Sequence, residues 1–189
     1  MILATRNPYK LVEFQRVLGE EQVMALPPTV ALGPETGETF AENALDKART
    51  AAAATGLVAI ADDSGIAAAA LDGAPGVRSA RFAGERASDE QNLELLIRVV
   101  PAGSRLSYVC ALAYVDPQAG LEHLVEGRCE GRMAAARLGS GGFGYDPVFV
   151  PEGGDGRTMA QLDAAEKDAL SHRGAAIRAL AAWLESGRR

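Results

Sequence analysis

Five short stretches of this chain carry residue types that do chemistry. Asp62-Asp63-Ser64-Gly65 follows a run of buried apolar residues. Adjacent carboxylates at the carboxyl end of a strand lie where α/β folds bind ligands, and hard cations such as Mg²⁺ take carboxylate and phosphate oxygens together. One aspartate can hold metal or activate water while the other caps a turn; alternatively Asp-Ser-Gly is simply a turn signal. Thr5-Arg6-Asn7-Pro8-Tyr9-Lys10 opens a helix, whose N-terminal N–H groups attract phosphate. Asn7 as an ordinary cap beside a solvated lysine is the plainer reading of the same residues. Glu35, Glu38 and Glu42 precede or open a second helix; Glu42 is explained by a capping box, and Glu35 is a loop carboxylate that can reach a metal, though a solvated loop carboxylate is the plainer reading of any one of them. Gly139 to Pro147 contains a formal G-x-G-x-x-G, but Asp-Pro and Val-Phe-Val follow it rather than a helix, so a dinucleotide fingerprint is rejected. Phe143 or Tyr145 can stack on a base there, and Asp146 can accept hydrogen bonds. Lys167, His172 and Arg173 flank the start of the last helix, where Lys167 suits phosphate and the other two can donate to base carbonyls.

The elements that must position these residues follow from periodicity and caps. Ile2–Ala4 reads as a strand, and Leu11, Phe14, Val17 and Leu18 recur at helical spacing after the Asn7-Pro8 start. Gln22–Leu26 reads as a short strand ended by Pro27-Pro28. Thr39 to Glu42 is a capping box for a helix with Ala41, Ala44, Leu45, Ala48 and Ala52 on one face, ended by Gly56. Leu57–Ala61 is expected as a buried strand running into the aspartate pair. Ser88 to Gln91 is another capping box. Leu106–Val115 and Leu121–Met133 read as a long antiparallel pair, Val148–Val150 as a short strand, and Ser171 onward as a terminal helix with Ile177, Leu180, Ala181 and Leu184 inward. Strands alternating with helices and then pairing as a hairpin indicate an α/β fold with a mixed sheet.

Composition removes several function classes. At 189 residues, 48% hydrophobic and 23% charged, the chain fits one globular domain, or two lobes sharing a core. A net charge of −6 argues against a nucleic-acid binder, since phosphate backbones demand a basic surface. No apolar run approaches a membrane-spanning length, and the first residues lack a signal-peptide pattern. Cys110 and Cys129 form no metal-spaced pair and read as buried reduced thiols, which points to the cytoplasm. His123 has no ligand spacing and reads as structural or exposed. Lysine is scarce: Lys10, Lys47 and Lys167 stand against 16 arginines, and two of the three fall at proposed phosphate contacts.

In order, Thr5-x-Asn7-x-x-Lys10, Thr39-Phe-x-Glu42-Asn43-Ala44, Ala61-Asp-Asp-Ser-Gly65, Gly73-Ala-Pro-Gly-Val-x-Ser-Ala-Arg81-Phe82, Gly141-Gly-Phe-Gly-Tyr-Asp-Pro147 and Ser171-His-Arg173 resemble the inosine triphosphate pyrophosphatase family, also called XTP/dITP or non-canonical purine NTP pyrophosphatases. The resemblance runs from about residue 2 to residue 184. It implies an α/β fold over residues 1–189, with a long twisted mixed sheet and helices forming two lobes around a central cleft. It implies a cytoplasmic Mg²⁺-dependent homodimer that cleaves ITP, dITP and XTP between the α and β phosphates, with no nucleic-acid or membrane partner. Residue by residue it implies phosphate binding by Thr5 to Lys10 (Arg6, Pro8 and Tyr9 included), and a proton-accepting, metal-binding Asp63. Glu35 is the second metal carboxylate, with Glu38 close by as an alternative. Substrate contacts fall to Ser64, Phe143, Gly144, Tyr145, Asp146, Lys167, His172 and Arg173. Arg6 stands where a small residue is frequent, so a direct phosphate contact by Arg6 would be particular to this chain. The rival readings are a related pyrophosphatase for other nucleotides and a nucleotide sensor that binds without turnover.

Overall fold

The computed structural model describes residues 1–187. Six strands form one mixed sheet: β1 (Ile2–Leu3), β2 (Met24–Ala25), β3 (Ala59–Ala68), β4 (Arg105–Asp116), β5 (Leu121–Met133) and β6 (Phe149–Pro151), in the order β2-β1-β3-β4-β5-β6. β1 runs parallel to both β2 and β3, whereas β6 is antiparallel to β5. The turn between β4 and β5 is only four residues long, which only an antiparallel pair permits. The helices are α1 (Pro8–Leu18), α2 (Phe40–Thr55), α3 (Asp89–Val99), α4 (Ala164–Leu170) and α5 (His172–Ser186).

The chain divides into two compact units interlaced in sequence. The first comprises Met1–Asp63, Cys110–Gly127 and the chain from Gly174; the second comprises Ser64–Val109 and Arg128–Arg173. In the first unit, alternate strand residues face opposite ways. Ala59, Ala61, Ala111, Ala113 and Val115 meet Ala44, Ala48, Ala51 and Ala52 of α2, small side chains on both sides. Leu3, Ile60, Cys110 and Leu112 meet Phe14 of α1 and Ile177 and Leu180 of α5. The alternation puts Asp63 on the α2 side of β3 and Asp62 on the α1 side. His123 stacks on Trp183 at 3.9 Å between ring centroids, a structural contact.

The second unit packs Leu93 and Leu96 of α3 against Ile66, Ala68, Leu106, Tyr108, Phe149 and Met159. The motif from Gly73 to Phe82 is a buttress within it. Ser79 Oγ donates to the Gly76 carbonyl at 2.6 Å and accepts from Ile66 N at 2.8 Å, while Tyr145 donates its hydroxyl to the Ser79 carbonyl at 2.7 Å. A Cβ on Gly65 would come within 2.3 Å of Ser79 Oγ, so only glycine admits this contact.

Both long capping boxes form as expected, Thr39 with Glu42 and Ser88 with Gln91. Two expectations are corrected. The third strand does not end at Ala61 but continues through Asp62-Asp63-Ser64-Gly65 to Ala68, because Ser79 supports the stretch that turn chemistry would otherwise bend. The second strand is two residues, not five. The terminal helix expected from Ser171 forms as α5, from His172, and a further helix precedes it: Asp163 and Glu166 form their own capping box for α4, and Ser171, in extended conformation, separates the two.

Candidate active site

The first unit gathers one set of charged side chains. Asn43 of α2, itself buried, donates from Nδ2 to Asp63 Oδ2 at 2.9 Å and accepts from Gly37 N at 2.8 Å. It thereby fixes the loop that carries Glu35 against the aspartate. One helical turn on, Lys47 Nζ donates to Glu35 Oε1 and, at 2.8 Å, to the Asp62 carbonyl, and lies 3.8 Å from Asp63 Oδ1. Of the two loop carboxylates, Glu35 is the one brought to Asp63; Glu38 offers its N–H to Glu42. Across the strand, Lys10 Nζ sits 2.9 Å from Asp62 Oδ2, so Asp62 is the partner of Lys10 rather than a turn cap.

The electrostatics follow from this geometry. Burial raises the Asp63 carboxyl above the ordinary aspartate range; Lys47 opposes that, Glu35 adds to it, and Asn43 and Lys10 oppose it again. Burial works against the charge of Lys47, but Asp62, Asp63 and Glu35 together outweigh it and hold its ammonium more firmly protonated than usual. Two carboxylates and a carbonyl thus converge on a point filled by an ammonium. Among the described residues no group of three or more His, Cys, Asp or Glu is gathered for a metal. Mg²⁺, however, is commonly held by one or two carboxylates with substrate phosphates completing the shell, and this all-oxygen donor set fits it.

The start of α1 is internally satisfied. Asn7 Oδ1 accepts from Tyr9 N at 2.9 Å and Lys10 N at 3.4 Å, and Thr5 Oγ1 accepts from Asn7 N at 3.1 Å. These residues still have the Thr5 hydroxyl proton and the Asn7 amide protons to offer a phosphate. Pro8 supplies the first helical residue, and Tyr9 is exposed. The Arg6 guanidinium is committed elsewhere: it donates to the carbonyls of Leu26, Pro27 and Pro28 at 3.0, 3.0 and 3.4 Å, and to that of Val30.

The second unit gathers another set. Arg173, 3% exposed, donates to Ser64 Oγ at 2.8 Å. Lys167 Nζ donates to Asp146 Oδ2 at 2.7 Å, and Phe143 N donates to the same oxygen at 3.0 Å. Gly142, with φ of +69° and no room for a Cβ beside Asp146, lets the loop fold over that carboxylate. Lys167 Nζ and the Arg173 guanidinium lie 4.9 and 5.6 Å from the centre of the Phe143 ring, which gives both cations an aromatic face. His172 is buried and stacked on Tyr108. Gly144, at φ +60°, turns the chain between Phe143 and Tyr145; Tyr145 is buried with its hydroxyl spent on Ser79.

Each predicted residue of these two sets is therefore placed within its own unit: Glu35 and Asp63 together, with Thr5 to Lys10 at the head of α1, and Ser64, Phe143, Asp146, Lys167, His172 and Arg173 in the second. Residues that sequence reasoning passed over are Asn43, Lys47 and Tyr108. The signal for the first two was present, as Asn43 and Lys47 are four apart and share one helix face.

The model of the Ham1 family matches residues 1–183. The chain belongs to the Ham1 family. A protein named dITP/XTP pyrophosphatase from Mycolicibacterium paratuberculosis is 50% identical to it, covering 98% of this chain and 96% of its own length. A HAM1 protein structure from Coxiella burnetii superposes with a TM-score of 0.84 at 41% identity, covering 98% of both chains. A nucleoside-triphosphatase, dITP/XTP pyrophosphatase, from Mycobacterium abscessus gives 0.73 at 48% identity over 97% of both. The Ham1 assignment bears out the resemblance carried by the six motifs, and its α/β mixed sheet is the fold that resemblance implied.

Proposed function

We propose that this Ham1-family chain is a Mg²⁺-dependent hydrolase that converts ITP, dITP and XTP to the nucleoside monophosphate and pyrophosphate, and so removes deaminated purines from the nucleotide pool. Its enzyme class follows from its family and relatives: it is a nucleoside triphosphate pyrophosphatase. The observation that carries the finer reading is the convergence of Asp63 and Glu35 on Lys47 Nζ, an all-oxygen cation position on one side of β3.

Asp63 and Glu35 would hold Mg²⁺, which supplies charge neutralisation on the phosphate oxygens. Asp63, whose affinity for a proton is raised by burial, takes the proton of the attacking water. The water oxygen bonds to the α-phosphorus, the bond to the α–β bridging oxygen breaks, and pyrophosphate leaves. Asn43 keeps Asp63 from rotating as this happens. Lys10, with Thr5 and Asn7, stabilises the charge of the polyphosphate. The set in the second unit reads the base: His172 and Arg173 donate to the 6-oxo group, and Phe143 offers an aromatic face. A 6-amino group would leave those buried donors unmatched, which disfavours ATP. We further infer a homodimer, as the resemblance implies, and a cytoplasmic location, consistent with two cysteines outside any disulfide; light scattering tests the first.

The test is a panel of ITP, dITP, XTP, GTP, ATP and dUTP with and without Mg²⁺, scored by pyrophosphate release. Turnover confined to Mg²⁺ and highest for ITP, dITP and XTP is expected. Equal turnover of ATP, or undiminished turnover in EDTA, contradicts the reading.

A further inference from the structure

Tyr108 takes no part in the chemistry above, yet it touches two of the residues assigned to the base. It is buried on β4 in the second unit, its ring stacked on the His172 imidazole and almost parallel to it (9° between planes, centroids 4.5 Å apart). Its hydroxyl donates to Asp146 Oδ1 at 3.2 Å. Asp146 Oδ2, in turn, already receives Lys167 Nζ and Phe143 N. Phe149 backs Tyr108 at 4.4 Å between centroids.

We propose that Tyr108 is a specificity-positioning residue, whose ring sets the plane of the His172 imidazole and whose hydroxyl sets the rotation of the Asp146 carboxylate, so that the base-reading groups keep the geometry that separates a 6-oxo from a 6-amino purine.

The physical case has three parts. An imidazole donates only along its ring plane, so its plane decides where a base carbonyl must lie. Flat contact with a fixed aromatic ring holds that plane more narrowly than aliphatic packing does. A carboxylate held at one oxygen only can still pivot; the Tyr108 hydroxyl at the other oxygen removes that freedom, and with it the freedom of the Lys167 and Phe143 groups tied to the same side chain. The hydroxyl is a dependable donor, because burial first, and Asp146 second, push its ionisation well above the ordinary tyrosine range. Positional slack of this kind costs discrimination before it costs binding to phosphate, because the phosphate contacts lie on other residues.

The proposal rests on the reading of His172 and Asp146 given above, and its test separates the two. The wild type, Tyr108→Phe, Tyr108→Leu and the packing control Leu180→Ala are assayed for kcat and KM with ITP and ATP, alongside melting temperature. Tyr108→Phe keeps the stack and loses the hydroxyl; it is expected to lower the ITP-over-ATP ratio of kcat/KM about tenfold, mainly through KM for ITP. Tyr108→Leu lowers it further. Leu180→Ala, in the core of the first unit, lowers the melting temperature and leaves the ratio alone. A Tyr108→Phe enzyme that loses stability while its ratio stays at the wild-type value overturns the positioning role, for that is what mere packing predicts. A wild type with no preference for ITP overturns the reading of the base site and the role with it. Should Tyr108→Phe fail to fold, 3-fluorotyrosine at position 108 keeps the shape and makes the hydroxyl a stronger donor; a raised ratio supports the proposal and an unmoved one overturns it.

Discussion

Lys47 Nζ lies 3.8 Å from Asp63 Oδ1 and bonds Glu35 at the same time, so one ammonium holds two carboxylates that would otherwise repel. Removing it as Lys47→Met should leave a partly buried pair of like charges. The expected loss is about 2–4 kcal/mol in urea unfolding without divalent cation. Added Mg²⁺ should restore part of it, because a cation returns to the same oxygens. A variant as stable as the wild type in EDTA would mean that the lysine does not balance those charges.

Asp63 gives a pH signature of definite sign. Its folded carboxyl holds a proton more tightly than an unfolded aspartate does. Its contribution to stability is therefore greatest when it is protonated, below the ordinary aspartate range, and is lost as pH rises through the raised value. Asp63→Asn mimics the protonated form. It should melt above the wild type at pH 7, with the difference shrinking as the pH falls into the carboxylate range. A difference that grows on acidification would show a carboxyl stabilised in its ionised form.

Arg6 ties the head of α1 to the carbonyls of residues 26–30. Arg6→Gly should cost about 1–2 kcal/mol and raise amide exchange across residues 26–34, with little change in the salt dependence of KM. A phosphate ligand would behave the other way, with exchange unchanged and KM for ITP rising steeply with salt.

Most helix starts were legible in this chain, because their signals are local; α4, with its own Asp163–Glu166 capping box, was passed over. Thr39 with Glu42 and Ser88 with Gln91 announce their own starts, and the alanine face of α2 announces its burial. The course of β3 was not legible past Ala61. Asp, Ser and Gly are poor strand formers and good turn formers, and what holds them extended is Ser79, fourteen residues beyond Gly65. The same distance hid Lys47 and Asn43. A lysine on a helix usually faces water, and the capping box already accounted for the residues just before Asn43, so neither demanded a further role. Arg6 was misleading in the opposite sense. It stands in a stretch suited to phosphate, but Pro27 and Pro28 cannot continue a strand ladder as donors, and the carbonyls around them take the guanidinium. Residue types singled out Asp63 and Glu35; only the fold showed the Lys47 ammonium between them.

Attack of an Asp63-activated water on the α-phosphorus is tested most directly by turnover of ITP with Mg²⁺ in H₂¹⁸O, followed by ³¹P NMR. One ¹⁸O in the monophosphate, none in the pyrophosphate, and loss of nearly all turnover in Asp63→Asn are expected. Label in the pyrophosphate, inosine diphosphate with inorganic phosphate as products, or an Asp63→Asn enzyme of near-normal rate would contradict it.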